Sequence, residues 1–573
     1  MMTKKSKKLK GGYSLFVWPC LAHIELARPV HHFDLFVLLT YIIRKHINHL
    51  TFVLTMSKHA KTREDATGAD PVPANIVNRD AVALPRRRLL GVAAIASAAT
   101  LLAGTPRTAS AAPRVKGADA ASADRDVLDV AIIGAGLAGL TAARDLKRGG
   151  CDTFVVLEAR SRVGGRTYNH DLGNGVVSEA GGQWIGPGQT AIADLARELG
   201  VDTFETYYQG KTVFLAGDVR MTQDLQGGVG AQGKVAAKLS ELARRVPSGA
   251  PWTAANAAEL DKLSLGDWLA RQDLSNEERF SFSMAATLSL GAQPAQLGLL
   301  HYLSVINSAN CDYDTLEKIK GGAQETRFVG GSQILSIQMA RELGDKVRLS
   351  CPVRKIVGWN REIVELHTDQ GVVRARHVIA ALNPALCQQV VFDPPLPAGR
   401  AQLHRLWPAH APMRKTAHVY ARPFWRDKGF NGQVVPLDGP LIWSVDNSPA
   451  DGSVGVISAF VKPGFLPADP KAAERILSAI YAQAFGDKAL KPTQYHDLDW
   501  GKVDTWSMSC INPMPAGFWT KLGQYLHPPT GRLIWSGTET ADIWAGAMDG
   551  AVRSGHRAAL QVLGALAYPV REA

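Results

Sequence analysis

The pattern of apolar and polar positions predicts a strand, a helix and a second strand between residues 130 and 157. Val130–Ile133 and Thr153–Leu157 are short apolar runs, and Leu140–Arg148 between them has helical character. Uncharged apolar runs of about four to eight residues are typical of strands buried in a parallel sheet. The pattern therefore predicts a strand–helix–strand unit that ends directly before Glu158.

The rest of the pattern predicts helices first and a mixed region afterwards. A helix is predicted at Thr190–Leu199, and residues 204–328 are predicted to be mainly helical. The amphipathic stretches of that segment are Val235–Arg245, Leu265–Arg271 and Asn276–Ala286. Sheet strands are predicted at Val347–Ile356, Glu365–His367 and Val378–Ala381. The last block, Gly531–Val562, is predicted to fold as strand, turn and helix.

Glycines occupy the turn between the first strand and the helix, in the sequence Gly134-Ala-Gly136-Leu-Ala-Gly139. Gly134 permits a tight turn, Gly136 lets backbone N–H groups approach a pyrophosphate, and Gly139 lets the helix lie close to the sheet. Glu158 is placed to accept hydrogen bonds from a ribose. These features together predict a dinucleotide-binding site.

The segment after the acidic residue distinguishes FAD from NAD. Arg162-Val-Gly-Gly165-Arg166 can turn the chain and bring guanidinium groups to the pyrophosphate. NAD-binding units have no standing need for such an extension, so FAD is the predicted cofactor. A second glycine-rich turn, which contains Gly182, Gln183 and Trp184, can pass close to a flat cofactor ring.

Composition and charge change this picture only near the N-terminus. The chain has 573 residues, of which 46% are hydrophobic and 20% charged, so it is globular and long enough for two domains. Its net charge is +12, but residues 1–113 hold 16 Lys and Arg against 6 Asp and Glu. The basic balance therefore indicates a leader and not a nucleic-acid-binding protein. The six cysteines show neither metal-ligand spacing nor a disulfide framework, and no metal is expected.

The leader is predicted to have two parts. Residues 1–55 are interpreted as an upstream extension without function, because Met56 begins a polar segment typical of a protein start; the alternative is a loose membrane-surface anchor, since the longest uncharged run is too short to cross a bilayer. Residues 56–112 contain Arg86-Arg87-Arg88, a small-residue apolar stretch and Ala109-Ser-Ala111. This is the pattern of a twin-arginine (Tat) signal, so we expect cleavage near Ala111 and a periplasmic or extracellular protein.

Three separated blocks match one family. They read GAGLAGLTAARDL…LEARSRVGGRTY, FVGGSQ…LGDKVRLSCPVRKI…VIAALNPAL…FDPPLP and GRLIWSGTETADIWAGAMDGAVRSGHRAA. Over about residues 126–565 the chain resembles the flavin-containing amine oxidases, specifically the monoamine oxidase branch with its exported bacterial members. The resemblance implies an α/β fold in which an FAD-binding Rossmann-like (GxGxxG) domain is interleaved with an α+β substrate domain.

The resemblance also implies how the segments divide. Residues 124–203, 329–404 and 503–565 are expected to build a discontinuous FAD-binding domain. Residues 204–328 and 405–502 are expected to build the substrate domain. The expected partners are a small-molecule amine and oxygen or another electron acceptor, with no nucleic acid and no stable membrane span.

Motif positions carry the family's cofactor contacts onto this chain. Val353 would bond the adenine edge through its backbone, and Glu539 would reach ribityl or ribose hydroxyls. The helix after Gly546 would direct backbone N–H groups at the flavin. The implied cofactor-binding residues are Gly134, Gly136, Ala138, Gly139, Glu158, Ala159, Arg162, Gly165, Arg166, Gly182, Gln183, Trp184, Val353, Cys510, Glu539, Met548 and Ala551.

The substrate side is implied in the same way. Lys415 matches the family's lysine that serves the flavin N5 position, and it is the predicted catalytic residue. Gln324, Phe460 and Trp500 match substrate-cavity positions, with Phe518 and Trp519 as further aromatic candidates. The two tyrosines that flank the amine in the family are here replaced by Ile511 and Ala547. Neither can polarise an amine through a π-face, so a substrate bulkier than the usual arylalkylamines is expected.

The function implied is oxidative deamination of an amine to an aldehyde or ketone, with release of ammonia or an amine and of hydrogen peroxide. One alternative is a flavin-dependent desaturase or dehydrogenase that acts on an apolar substrate or a cyclic secondary amine, similar to nicotine oxidoreductase. Another is a binding protein with an inert flavin. Cys510 lies where some relatives attach FAD through a thioether, and it is either that link or a buried unreactive cysteine.

Overall fold

The computed structural model describes residues 127–225, 233–408, 413–462, 464–506 and 512–568. The leader predicted at residues 1–112 lies outside the described residues, as do Cys510 and Ile511. The described helices are α1 Leu137–Arg148, α2 Thr190–Glu198, α3 Lys234–Ala243, α4 Ala257–Leu260, α5 Leu265–Ala270, α6 Asn276–Leu290, α7 Leu299–Ser308, α8 Tyr313–Glu317, α9 Gln333–Leu343, α10 Ala398–Leu406, α11 Pro470–Phe485, α12 Trp519–Leu522 and α13 Met548–Ala565.

Strands alternate with these helices along most of the chain. The described strands are β1 Val127–Ile133, β2 Phe154–Leu157, β3 Asn169–Gly173, β4 Val176–Glu179, β5 Thr203–Glu205, β6 Lys211–Ala216, β7 Val219–Gln223, β8 Thr326–Phe328, β9 Val347–Arg348, β10 Val353–Val357, β11 Val364–Thr368, β12 Gly371–Ala381, β13 Val391–Asp393, β14 Arg414–Tyr420, β15 Phe430–Pro436, β16 Leu441–Asp446, β17 Gly455–Val461, β18 Gln494–Asp499 and β19 Leu533–Ser536.

The first sheet has the order β13-β10-β11-β12-β1-β2-β9, and β19 pairs with the second half of β12. Its strands β9, β2, β1, β12 and β19 are parallel to their neighbours in this group, and β9 lies at the edge. The apolar run at the end of β1 is explained by burial on both faces. Val130 and Ile132 pack into one hydrophobic core, and Ala131 and Ile133 pack into another on the opposite face. Because the strands are parallel, their carboxyl ends form one edge of the sheet.

The second sheet has the order β18-β14-β17-β16-β15-β6-β7 and is antiparallel except for the pair β6 and β15. Lys415 of β14 lies opposite Phe460 of β17, which in turn lies opposite Trp443 of β16. Cross-strand partners project to the same face of a sheet. This register therefore places a lysine beside two aromatic rings.

Helices α3–α8 form most of a separate hydrophobic core, which includes Leu239, Phe282 and Tyr302. The prediction of a mainly helical segment at residues 204–328 is correct for this part. It is wrong for β5 to β8, of which β6 and β7 extend the second sheet. β5 and β7 are short and largely exposed or half-buried, so their apolar pattern is weak, whereas β6 is a mostly buried strand that the prediction missed.

The strand predicted at Val347–Ile356 is two strands in the structure. β9 pairs with β2, whereas β10 pairs with β11 and β13. The chain turns at Ser350, which has a φ of 52°, and the N–H groups of Ser350 and Cys351 bond back to the carbonyls of Arg160 and Glu158. A positive φ at a serine leaves no signature in an alternating pattern.

The first sheet draws its strands from residues 127–157, 347–393 and 533–536, and the second from residues 211–223 and 414–499. The domain boundaries given above remain predictions. Among the described residues, no helix combines the length and the apolar character that a bilayer crossing requires.

Candidate active site

The glycine turn at the end of β1 has the geometry that its sequence requires. Gly134 has a φ of +100°, and a Cβ there would lie 2.9 Å from the carbonyl oxygen of Ala381. A Cβ on Gly139 would lie 2.0 Å from the carbonyl oxygen of Gly134, so α1 is tight against the turn. At Gly136 the nearest atoms to such a Cβ are 3.9 Å away. A Cβ at Gly136 would therefore make only ordinary van der Waals contact with Gly164 and Gly165, beside the first cavity and the helix N-terminus.

Glu158 follows β2 at the same sheet edge and is buried. Its carboxylate accepts hydrogen bonds from the backbone N–H of Ala135 at 2.7 Å and of Arg160 at 2.9 Å. The Arg160 guanidinium lies 3.8 Å from the same carboxylate and also bonds Asp504 at 2.9 Å. These contacts fix the orientation of Glu158, as charge-assisted hydrogen bonds do. Arg160 was not predicted, since its partner Asp504 is remote in sequence.

A first cavity of about 180 Å³ opens along this edge. The carboxyl ends of β1, β2 and β12 and the N-terminus of α1 contribute to its wall, the usual location of ligand sites in parallel sheets. The predicted cofactor residues that line it are Gly134, Gly136, Ala138, Glu158, Ala159, Gly165, Arg166, Gly182, Val353, Met548 and Ala551. The lining residues that the sequence did not indicate include Arg160, Leu382, Asn383, Trp506, Thr538 and Gly546.

Arg162 does not line this cavity, in contrast to the predicted pyrophosphate contact. One of its N–H groups reaches the carbonyls of Val163, Gly165 and Thr167, and its guanidinium lies 4.4 Å from the centre of the Tyr168 ring. Burial lowers its pKa. Arg162 therefore holds the shape of the turn, and Arg166 is the arginine of this segment that faces the cavity.

Glu539 also has neighbours other than those expected. Its carboxylate bonds Arg166 at 2.6 Å and the side-chain amide of Asn383 at 2.8 Å. Glu539 is absent from the wall of the first cavity, while the preceding Gly537 and Thr538 line it. The short helix at Thr538–Thr540 turns the glutamate towards Arg166. Its evident role is to orient that arginine.

A second cavity of about 240 Å³ adjoins the first. Both cavities are lined by Arg166, Gly182, Gly546, Ala547 and Met548, so these residues form a common boundary. Most of the other residues that line the second cavity are apolar. They include Trp184, Leu288, Leu290, Val305, Leu316, Met413, Phe460, Trp500 and Trp544. Gln183 and Trp184, predicted as cofactor contacts, line this second cavity and not the first.

Lys415 lies in the wall of the second cavity with 2% of its surface exposed. Its ammonium donates hydrogen bonds to the carbonyl of Gly181, at 3.0 Å, and to the side chain of Gln183. It also lies 5.3 Å from the centre of the Phe460 ring and 5.6 Å from that of Trp184. Hydrogen bonds and aromatic faces are what a buried ammonium needs to remain charged.

Aromatic rings surround this lysine. Phe460 stacks on Trp443 with ring centres 5.9 Å apart and an angle of 2° between the ring planes. Trp500 lines the cavity and donates its indole N–H to the carbonyl of Ala180 at 2.8 Å. Trp443 was not predicted, although its place opposite Phe460 follows from the pairing of β16 and β17.

Of the other predicted substrate residues, some line the second cavity and some do not. Gln324 and Ala547 line the second cavity, and the amide of Gln324 donates to the carbonyl of Leu316 at 3.2 Å. Ile511 falls outside the described residues. Phe518 and Trp519 do not line the cavity, because they pack into the core of the helical segment.

The match to known proteins settles the family. The model for flavin containing amine oxidoreductases matches residues 137–563. The chain belongs to this family. It is therefore an oxidoreductase that acts on amines with a flavin cofactor, and the alternatives of a desaturase and an inert binding protein receive no support from the family match.

Several relatives cover nearly all of the described chain. AofH of Mycobacterium tuberculosis, assigned as a flavin-containing monoamine oxidase, is 37% identical over 445 residues, which are 76% of this chain and 96% of that protein. Flavin-containing amine oxidase B of Cavia porcellus is 32% identical over 456 residues, 76% of this chain and 86% of that one. Among solved structures, cyclohexylamine oxidase from Brevibacterium oxydans has 28% identity and a TM-score of 0.70, with 77% and 100% coverage. Putrescine oxidase bound to putrescine has 30% identity and a TM-score of 0.69, with 76% and 99% coverage.

The first cavity fits the flavin nucleotide that the family requires. Gly136 leaves open the space in which a pyrophosphate would meet the N-terminus of α1, and a larger residue would fill it. Glu158 is an oriented carboxylate suited to ribose hydroxyls, and Arg166 supplies positive charge at the boundary of the two cavities. Among the described residues no group of three or more His, Cys, Asp or Glu side chains is arranged to hold a metal ion.

Proposed function

We propose that this flavin amine oxidase oxidises an amine bulkier than the arylalkylamines, and that it yields an aldehyde or ketone, ammonia or an amine, and hydrogen peroxide. FAD, when bound, would supply the two-electron oxidation of the carbon beside the amine nitrogen and the return of those electrons to oxygen. Hydrolysis of the imine balances the reaction: amine, oxygen and water give the carbonyl compound, the released amine and peroxide.

The observation that carries this proposal is the position of Lys415. Its ammonium is buried in the wall of the second cavity and is held by the carbonyl of Gly181, next to the boundary residue Gly182. A fixed positive charge at that place stabilises negative charge that develops during the transfer of electrons to oxygen. Lys415 is therefore a preorganised cation in the wall of the second cavity, and its partner Gly181 directly precedes the boundary residue Gly182.

The lining of the second cavity favours a neutral substrate amine. Its charged side chains, among the described residues, are Arg166 and Lys415, and both are cations. An apolar wall and nearby positive charge both lower the pKa of a bound ammonium. The amine that gives up a hydride must carry a free electron pair, so this environment selects the reactive form.

Ala547 supports the proposed size of the substrate. This residue lines both cavities and caps the N-terminus of α13, where a tyrosine would narrow the boundary. The methyl group of alanine is smaller than the phenol ring of tyrosine, so it leaves room in the cavity for a branched or cyclic amine. The similarity to a cyclohexylamine oxidase supports a cyclic substrate for this chain as well.

A panel of amines mixed anaerobically with the purified protein tests the proposal. We expect amines to bleach the yellow flavin, with cyclic and branched amines reducing it faster than benzylamine or phenethylamine. After oxygen is admitted, one peroxide should form for each carbonyl product. The alcohols of matching carbon skeleton are the controls and should leave the absorbance unchanged. A protein that no amine bleaches would refute the proposed activity, and a preference for phenethylamine would refute the proposed size.

The attachment of FAD is a separate part of the proposal, because Cys510 lies outside the described residues. If Cys510 forms a thioether, the yellow colour will stay with the protein pellet after precipitation with acid, and Cys510→Ser will release it to the supernatant. Colour in the supernatant of the unsubstituted protein means that FAD is held without a covalent bond. Export through a twin-arginine signal, with a periplasmic or extracellular location, also remains a proposal.

A further inference from the structure

A serine and a glutamate outside the predicted site form a polar pair at the wall of the second cavity. Ser289 of α6 lines the cavity, and its hydroxyl donates a hydrogen bond to the carboxylate of Glu317 at 2.8 Å. Glu317 is the last residue of α8 and is 8% exposed. We propose that Ser289 and Glu317 bind the second, positively charged amino group of a substrate that carries two amino groups. The proposal deepens the amine oxidase function stated above and rests on it.

The hydrogen bond fixes which chemical group the pair can recognise. A serine hydroxyl has a single hydrogen, and that of Ser289 is directed at Glu317. While Glu317 is ionised, the Ser289 oxygen can therefore act only as an acceptor towards the cavity. A ligand group at this position must be a hydrogen-bond donor, and the carboxylate behind the serine favours a donor with positive charge.

The charges in the cavity wall define what the Ser289–Glu317 pair would contribute to binding. The charged residues in the cavity wall are Arg166 and Lys415, and no Asp or Glu among the described residues lines it. Arg166 is paired with Glu539, and the wall itself offers no carboxylate to a second ammonium of the substrate. Glu317 lies one hydrogen bond behind the wall and supplies that negative charge.

Glu317 itself lacks a positive partner among the described residues. Its carboxylate accepts the hydrogen bond of Ser289 and takes part in no ion pair of the described chain. Burial raises its pKa to about 7, and Tyr302, whose own pKa is raised by burial and by this carboxylate, lies close by. A buried carboxylate is costly when uncompensated, and an approaching ammonium lowers that cost.

Paired substrates test the proposal in the holoenzyme with FAD. Diaminohexane is compared with hexylamine, and diaminocyclohexane with cyclohexylamine, in the unsubstituted protein, in Glu317→Gln and in Ser289→Ala. We expect each substitution to raise the KM of the diamines about tenfold or more, because a charge-assisted contact is lost. The kcat of the diamines and both constants of the monoamines should change less than about twofold, since the proposed contact is made to the second amino group and not to the reacting carbon.

Glu325→Gln is the matched control, because Glu325 lies in the same part of the chain and caps the backbone N–H of Gly321 outside the cavity. It should leave all four substrates unaffected. Equal losses for diamines and monoamines in Glu317→Gln, or a lower melting temperature as its sole effect, would show that the pair only joins α6 to α8 and would overturn the proposal. Failure of every amine to reduce the flavin in the unsubstituted protein would instead refute the amine oxidase function.

Discussion

Gly139→Ala is expected to abolish the yellow, FAD-containing protein. The added Cβ would lie 2.0 Å from the carbonyl oxygen of Gly134 and 3.3 Å from the side chain of Ile132. Both atoms belong to the strand and turn that shape the first cavity, so α1 must move away from β1. Overpacking of this kind costs about 1–3 kcal/mol or more, and here the clash is with backbone. The measurements are the ratio of flavin to protein absorbance and the melting temperature.

Gly564→Ala is the matched control for that substitution. Gly564 also lies in a helix, α13, but a Cβ there would meet no atom within 4 Å. Alanine favours helix over glycine by about 1 kcal/mol, so this variant should bind FAD normally and melt at an equal or higher temperature. If Gly139→Ala retained full flavin and an unchanged melting temperature, the close packing of α1 on the glycine turn would be wrong.

Lys415→Met should slow the reaction of the reduced enzyme with oxygen about 100-fold. Removal of one preorganised charge from a buried site typically costs that much or more. The reduction of the flavin by amine in the absence of oxygen should change far less, because the aromatic and apolar walls that hold the substrate remain. Stopped-flow absorbance measures the two half-reactions separately.

Lys462→Met controls for the loss of a lysine from the same sheet region. Lys462 follows β17, donates to the carbonyl of Gly439, is half-buried and does not line the second cavity, so both half-reactions should keep their rates. Lys415→Met also leaves the carbonyl of Gly181 without this donor, at a cost of about 1–3 kcal/mol. Melting temperatures therefore accompany the rates. If the amine half-reaction fell while the oxygen half-reaction did not, Lys415 would serve the amine and not oxygen.

Local patterns predicted the elements around the glycine turn well. The strand–helix–strand unit, Glu158 after β2, and the strand, turn and helix of the last block all occur in the structure. Each depends on residues close in sequence, such as Gly139 against Gly134. The pattern failed at Val347–Ile356, where a positive φ at Ser350 divides the strand, and alternation of side chains carries no information on that angle.

Many of the predicted site residues line the two cavities, but the contacts between them could not be predicted. The sequence indicated both Arg162 and Arg166 near the phosphates, and only the structure shows that Arg162 bonds local carbonyls while Arg166 lines both cavities. The sequence equally indicated Glu539 as a cofactor contact. Its carboxylate instead accepts hydrogen bonds from Arg166 and Asn383, which lie far from it in the chain.

By itself the sequence determined the strand–helix–strand unit with its glycine turn and the family, because backbone geometry at glycines and short apolar runs are local properties that a pattern records; the role of Lys415 stays a prediction. The tertiary structure alone decided that Lys415 meets Gly181, that Arg160 meets Asp504 and that Ser289 meets Glu317. Such contacts join distant segments through the packing of sheets and helices. Their partners are selected by burial and charge in three dimensions, which no run of neighbouring residues specifies.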